Sequence, residues 1–350
     1  MIDIPFWKIL TLGMLPSFLK CFYYRFRGAE IGKGVHFALG SVLVGRRIVV
    51  GEGSRFGLFS IIAAERINIG KRADIGSFTF LSAREISFGD DCVIHELVFS
   101  GILDGPRSVL RIGSRVRVFP LTVINPTMGV TIEDDAGVGG YSLIFTHGVW
   151  QSVLQGYPVQ YAPVTIRKGA WLPWDVFVLP GVTIGEGATI GARSLVTSDV
   201  PARSLALGIP ARVVKSGAEY PRSLSLEQKE TILGNIFREY VEYALYKGHL
   251  AALEEAGNYL SLMIGSTENP DCVISYERTG KKDFAKRGKT NVLVSLTGID
   301  TEHRCLLEDG GVIWIDLMGE QRSSITTPVV EDFVKFLFRY GIKALRISQA

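Results

Sequence analysis

The chain is poor in the features that would settle its class at once. Its 350 residues contain four cysteines, Cys21, Cys92, Cys272 and Cys305, scattered and with no Cys-x-x-Cys pair. That spacing argues against a disulfide framework or a clustered zinc-thiolate site and points to free thiols in a reducing compartment. An excess of one charge is also missing: 38 basic against 35 acidic side chains leave a formal net charge of +3. The one basic cluster, Lys281 to Lys289, is short and interrupted, so it lacks the electrostatic footprint of a nucleic-acid binder and is expected to be a solvated loop. The charge-free stretch from Ile9 to Leu19 contains Gly13 and Pro16, whereas a membrane-crossing helix needs roughly twenty apolar residues. No small-residue cleavage site follows it, which argues against a signal peptide.

What is present is 47% hydrophobic side chains against 21% charged, enough for a sizeable core and two or three domains. In residues 1–27 Leu15, Phe18, Leu19, Phe22, Tyr23 and Phe26 recur at helical spacing beside Lys20, Arg25 and Arg27. This predicts an amphipathic helix with two open destinations, an anionic membrane surface or a packing site on the protein itself or a partner subunit.

A repeat organises the next stretch. From Ile166 an apolar residue returns every six positions, at Leu172, Val178, Ile184, Ile190 and Val196. A small or β-branched residue follows each at the fourth place: Ala170, Val176, Val182, Ala188, Ser194 and Val200. A helical period cannot hold that register over six units. The spacing predicts one short parallel strand per hexad, three hexads closing a triangular coil, with glycine easing the turns. Weaker copies begin at Ile31-Gly32, Val50-Gly51, Ile69-Gly70, Phe88-Gly89, Ile112-Gly113 and Ile132-Glu133. The rhythm lapses from about Gly148 to Val164, which predicts a protruding loop on a rigid solenoid.

The closing run, IRKGAWLPWDVFVLPGVTIGEGATIGARSLVTSDVPARSLALGIPARVVK, resembles the hexapeptide-repeat acyltransferases, and the similarity extends from about residue 28 to residue 216. This resemblance implies a mainly β fold, a left-handed parallel β-helix. It also implies transfer of acetyl groups from acetyl-CoA to sugars or other small acceptors. A homotrimer is expected, because one flat coil face cannot enclose a pantetheine arm and the Gly148 to Val164 loop can reach across to a neighbouring subunit. The left hand of the coil comes from the resemblance and not from the periodicity.

Acyl transfer from a thioester to a hydroxyl needs a base, a donor cleft and an oxyanion partner. Of five histidines, His36, His95, His147, His249 and His303, only His147 sits where a loop leaves a coil. The family's catalytic histidine occupies this kind of position. Carried over in the same way, Ala192 and Thr197 fall where the coenzyme's pantetheine arm is held, Arg212 and Lys215 fall where its phosphates are met, and the ring of Trp174 is a candidate to stack on the donor or narrow its cleft. Two departures stand out: Leu172-Pro173 replaces the family's Ile-Gly after Trp171, and Trp174 replaces a small residue. Asn125, Trp150, Tyr157 and Tyr161 are the candidate acceptor contacts. No metal is expected, because His36, His95 and His147 are each about three coils apart, roughly 15 Å at rung spacing.

From Ser223 the pattern changes. Ser225 with Gln228 forms a capping box, and Leu233, Ile236, Phe237, Tyr240 and Ala244 share one helix face. A second helix is expected over Leu250 to Met263, strands over Asn291 to Leu296 and Gly311 to Met318, a helix from Val329 to Tyr340 and a strand from Ala344 to Ile347. Glu302, His303, Glu308 and Asp309 are expected in a polar connection between strands. The expected organisation is therefore an N-terminal helical segment (1–27), a β-helix (28–216) and a C-terminal α/β domain (223–350). The expected activity is O-acetylation of a sugar hydroxyl in a surface polysaccharide or its precursor, in the cytoplasm and at the inner face of the membrane if residues 1–27 bind lipid. Alternatives are N-acetylation of an amino sugar and a non-catalytic scaffold for polysaccharide assembly.

Overall fold

The six-residue rhythm becomes a stack of coils in the computed structural model, which describes Trp7 and residues 10–101, 105–256, 259–266, 268–277 and 287–347. Lys8 and most of the Lys281 to Lys289 cluster lie outside the described residues. The chain divides into two compact units, Met1–Ser223 and Leu224–Ala350.

In the first unit, strands of two to five residues alternate with turns, and successive coils pair into three sheets of eight, ten and eight strands. These are here called face 1, starting at Glu30–Ile31, face 2, starting at His36–Phe37, and face 3, starting at Val42–Val44. Among the described residues the pairing between coils in these three sheets is parallel, except for the last strand of face 2, Ala211–Lys215, which runs antiparallel. Ile31, Val50, Ile69, Phe88, Ile112, Ile132, Ile166 and Ile184 stand in one vertical row on face 1. All are buried. Leu172 and Ile190 fill the same interior from face 2, and Val178 and Val196 from face 3. Each such side chain contributes roughly 1.5–3 kcal/mol of burial, so the rows together hold the coils.

The corners explain the small residues. A Cβ on Gly70 would lie 2.4 Å from the carbonyl oxygen of Gly89 in the next coil, so the turn after face 1 has no room for a side chain. The turn between faces 2 and 3 is equally tight, since a Cβ on Gly76 would lie 2.3 Å from Glu96 N. There the left-handed position is held by Phe59, Phe78, Leu97, Leu121, Tyr141, Asp175 and Arg193, with φ between 51° and 63°. Rung-to-rung hydrogen bonds such as Phe59 N to Leu39 O, 2.9 Å, and Phe78 N to Leu58 O, 2.7 Å, hold these residues in a conformation they do not favour in isolation.

Helix α1 (Ser17–Phe26) lies across the open end of the first coil. Its side chains meet the edge groups that no lower coil satisfies. Arg25 donates to Ile31 O and Gly32 O, Lys20 Nζ donates to Ala38 O at 2.6 Å, Ser17 Oγ accepts from Phe37 N, and Tyr24 Oη both accepts from Leu43 N and donates to Leu43 O. The helix thus covers an exposed sheet edge. Lys20 is fully buried, and that burial pushes its ammonium down to about 8. Lys20 and Arg25 therefore serve the cap, which fits the packing destination for these two side chains, Lys20 buried and Arg25 exposed. Phe18, Phe22 and Phe26 point outward at 71%, 68% and 81% exposure.

Among the described residues the second unit is a seven-stranded mixed sheet with three α-helices, α2 (Leu226–Tyr246), α3 (Thr301–Asp309) and α4 (Pro328–Leu337). The capping box at Ser225 and Gln228 forms as expected. Leu250 to Met263 is not a helix: Ala251–Ala256 and Tyr259–Gly265 are paired antiparallel strands. Leu260, Leu262 and Ile264 alternate inward at a period of two, which the helical reading overlooked. Glu302, His303, Glu308 and Asp309 lie, as expected, in the connection between the strands Thr290–Ser295 and Val312–Asp316, and that connection is the helix α3, capped by Asp300.

Candidate active site

His147 lies just beyond the face 3 strand Leu143–Phe145, at the corner between faces 3 and 1. The repeat lapses here because the chain leaves the coil and returns as an antiparallel pair in which His147 faces Tyr161 and Gly148 faces Gln160. Tyr161 stacks on the His147 ring at 5.6 Å with planes 10° apart. One coil below, Asn125 ends the strand that pairs with Leu143–Phe145, and its Nδ2 lies 2.7 Å from His147 Nδ1. Asn125 Oδ1 accepts from Thr127 Oγ1 at 2.7 Å and from Thr127 N at 3.2 Å. Thr146 Oγ1 donates to Asn125 O at 2.8 Å and locks the turn.

This network sets the surroundings of Asn125. It is fully buried, and its amide is turned to His147 and Thr127 and not to solvent. Thr127 N–H can only donate, which sets Oδ1 toward it and Nδ2 toward Nδ1. In that arrangement the neutral ring carries its proton on Nε2. A half-turn of the amide would place Oδ1 against a protonated Nδ1 and free the Nε2 lone pair, at the cost of the Thr127 N–H bond. The orientation of the Asn125 amide and the tautomer of the His147 ring are thus linked.

The remaining loop residues stand outside this network. Trp150 is 94% exposed, and Tyr157 and Tyr161 are about half exposed. Trp174 lies at the other end of face 3, at the corner with face 2. Its ring covers Gly140, where a Cβ would lie 2.2 Å from the indole, and it contacts Phe119 and Tyr141. Trp171 lies over Gly137 in the same way. Ala192 is exposed one coil above Trp174 at that corner, while Thr197 is exposed at the His147 corner. Arg212 and Lys215 are exposed on the antiparallel end strand of face 2. Gly140 and Thr146 bracket one edge of the triangle, six residues apart and at most about 20 Å at strand rise. Within one chain the candidate base and the Trp174–Ala192 corner are separated by the width of face 3. Among the described residues no group of three or more His, Cys, Asp or Glu could hold a metal ion.

No protein-family model matches the chain. An Escherichia coli (strain K12) protein named as a colanic acid biosynthesis acetyltransferase, WcaF, is 34% identical over 128 residues, covering 31% of this chain and 70% of the relative. A Staphylococcus aureus (strain MRSA252) protein named as an acetyltransferase is 55% identical over 53 residues, 15% of this chain and 27% of the relative. The chain thus spans less than a third of the length of the Staphylococcus relatives it matches. Among solved structures, the polySia-specific acetyltransferase NeuO aligns with a TM-score of 0.38 and 19% identity, over 57% of this chain and 92% of that one. The fold and the match to WcaF define the class as a parallel β-helix of hexapeptide repeats. The chain belongs to the hexapeptide-repeat acyltransferase family.

Proposed function

We propose that the protein is an acetyl-CoA-dependent O-acetyltransferase that modifies a sugar hydroxyl of a surface polysaccharide or its precursor. The observation that carries this reading is the Asn125–His147–Tyr161 cluster at the one corner where a long loop interrupts the coils. Asn125 would orient His147: after a half-turn of its amide, Oδ1 holds a protonated Nδ1, and His147 Nε2 accepts the proton of the acceptor hydroxyl as its oxygen attacks the thioester carbonyl. The tetrahedral intermediate then collapses, the C–S bond breaks, and the proton passes to the coenzyme A thiolate. The products are an acetate ester and the free thiol. Trp174 and Ala192 would line the pantetheine arm, with Thr197 as a further contact, and Arg212 and Lys215 would meet the phosphates. Trp150, Tyr157 and Tyr161 would present aromatic faces to the sugar.

A homotrimer completes this site. The outer surface of face 3 carries a row of apolar residues, Ile61, Phe80, Phe99, Val123, Leu143, Phe177 and Leu195, whereas Arg66, Asn68, Ser87 and Thr131 face outward on face 1. Three copies packed with face 3 inward would set the His147 corner of one chain against the Trp174 corner of the next. A fully active monomer by light scattering would contradict this arrangement.

Among the described residues no helix is long and apolar enough to cross a membrane. The Phe18–Phe22–Phe26 stripe supports peripheral contact at the inner face of a membrane, where acetyl-CoA is available in the cytoplasm. Vesicle sedimentation of the full chain against a Phe18, Phe22 and Phe26 to Ser triple variant tests it, and equal pelleting would remove the membrane from the reading. For the activity itself, the protein is incubated with acetyl-CoA and a panel of glycans, and the product is treated with mild alkali. Loss of the acetyl group marks an ester; a retained group marks the N-acetyl alternative; no coenzyme A release with any acceptor leaves the scaffold alternative.

A further inference from the structure

The charges on the coils are distributed unevenly between corners. At the corner between faces 1 and 2, basic residues meet acids one rung away: Arg72 pairs with Asp91 through two bonds of 2.6 and 2.5 Å, and Arg115 with Asp135 through two of 2.8 Å. These charges neutralise one another. The corner between faces 3 and 1 is different. There Arg46, Glu65 and Arg84 stack rung on rung, since Arg46 N donates to Glu65 O and Glu65 N to Arg84 O. Arg47 and Arg66 stand beside them in register on face 1, with Glu85 next above, and Arg107 follows at the end of the fourth coil. Five arginines thus accompany two glutamates. Among the described residues only Arg66 of the five forms an ion pair, with Glu85 at 2.7 Å. Arg84 is half-buried, and its Nε is shielded from solvent without a hydrogen-bond partner.

This is the corner that carries Asn125 and His147 in the fifth and sixth coils. At about 4.8 Å per rung the arginine of the third coil lies roughly 14 Å below His147, and that of the fourth roughly 10 Å. The track therefore runs along one edge of the prism toward the candidate base, on the side away from Arg212 and Lys215. We propose that this arginine track holds a polyanionic glycan acceptor, its carboxylates on Arg84 and Arg107 while a hydroxyl further along the chain reaches His147. The inference rests on the acyltransferase reading and names the acceptor class for it. Guanidinium groups suit this role because they present paired donors to a carboxylate and remain charged. Regularly spaced acids along an extended sugar chain match a regularly spaced ladder, whereas a lone coenzyme phosphate cluster would need only one end of it.

The test is binding of an oligogalacturonate to the full chain, without acetyl-CoA, beside its neutral methyl ester and vesicles of anionic phospholipid. The acidic oligosaccharide is expected to bind and the ester not, with binding weakened several-fold when ionic strength is raised well above physiological. An Arg84→Gln, Arg107→Gln double variant should lose about tenfold or more, as expected for two charge-assisted contacts. Arg72→Gln, on the neutralised corner, should change nothing. Equal binding of acid and ester, an unaffected double variant, or an arginine-dependent preference for vesicles over oligosaccharide would each overturn the proposal. Turnover is read separately as coenzyme A release. Release with neutral glycans and no uronate binding would sink the polyanion inference alone, and uronate binding without release for any acceptor would sink the acyltransferase reading.

Discussion

The two units solve the same problem, burial of an apolar interior, by opposite means. In the coils the partners of a residue lie one repeat away, as Ile69 pairs with Val50 and Phe88. One local pattern therefore sets every rung. In the second unit the partners are distant: Tyr240 Oη donates to Asp332 across 92 positions, and Phe237 and Tyr240 pack on Phe333. Chemistry follows this division. A solenoid of identical rungs offers no place for a special residue except where the rung is broken, and His147, Tyr161 and the buried Asn125 collect at that break.

The comparison can be tested by its largest expected effect first. Phe333 is fully buried between Phe237 and Tyr240, so Phe333→Ala should cost about 3–5 kcal/mol in denaturant unfolding. Ile144→Val, within one rung, should cost about 0.5–1.5 kcal/mol. Equal losses would mean that the coils are as non-local in their energetics as the mixed sheet.

His147→Ala should lower kcat by about a hundredfold or more, the contribution of a general base, while acetyl-CoA binding stays within a few fold. Activity near that of the unaltered protein would remove the break in the repeat as the catalytic point.

Asn125 gives a finer measure. Asn125→Leu should reduce kcat by about ten- to a hundredfold, as loss of an orienting partner does for metal-bound histidines, with the KM for acetyl-CoA little changed. Asn125→Asp should recover part of the loss, because a carboxylate still accepts from Thr127 and from a protonated Nδ1. Equal activities of the Leu and Asp variants would mean that Asn125 only fills space.

The smallest effect is a pH dependence in the cap. Lys20 holds its proton less tightly when folded, at about 8, than in an unfolded chain at about 10.4. The unfolded state binds more protons between these values, so stability should rise with pH through that window and fall again as the pH drops through 8. Lys20→Met should flatten the rise. An unchanged slope in thermal unfolding would show that the slope does not come from Lys20.

Much of the first unit was legible in the sequence because a coil's side-chain environment recurs with the repeat. The Ile-Gly units, the closing hexads, the loop exit and His147 all follow from spacing that a single strand cannot avoid displaying. The hairpin at Ala251–Ala256 and Tyr259–Gly265 was not legible, since short apolar runs satisfy helical and strand periods alike and only pairing across the sheet decides between them. The left-handed corner was hidden for a different reason: Phe59 and Phe78 adopt φ values usually given to glycine because stacked rungs compensate them.

Sequence alone therefore determined the coil, its period and the position of its one long interruption, since local pattern and backbone geometry suffice for these. Only the tertiary structure decided what the neighbours of that interruption do. Asn125 and His147 are 22 residues apart in the chain and one rung apart in space, and the stacking of coils sets the amide of one against the ring of the other. Stacking likewise separates His147 from the Trp174 corner by the width of one face. It also turns Lys20 inward to cap an open edge and gathers arginines from four coils onto a single corner, because residues a full repeat apart become nearest neighbours once the coils close.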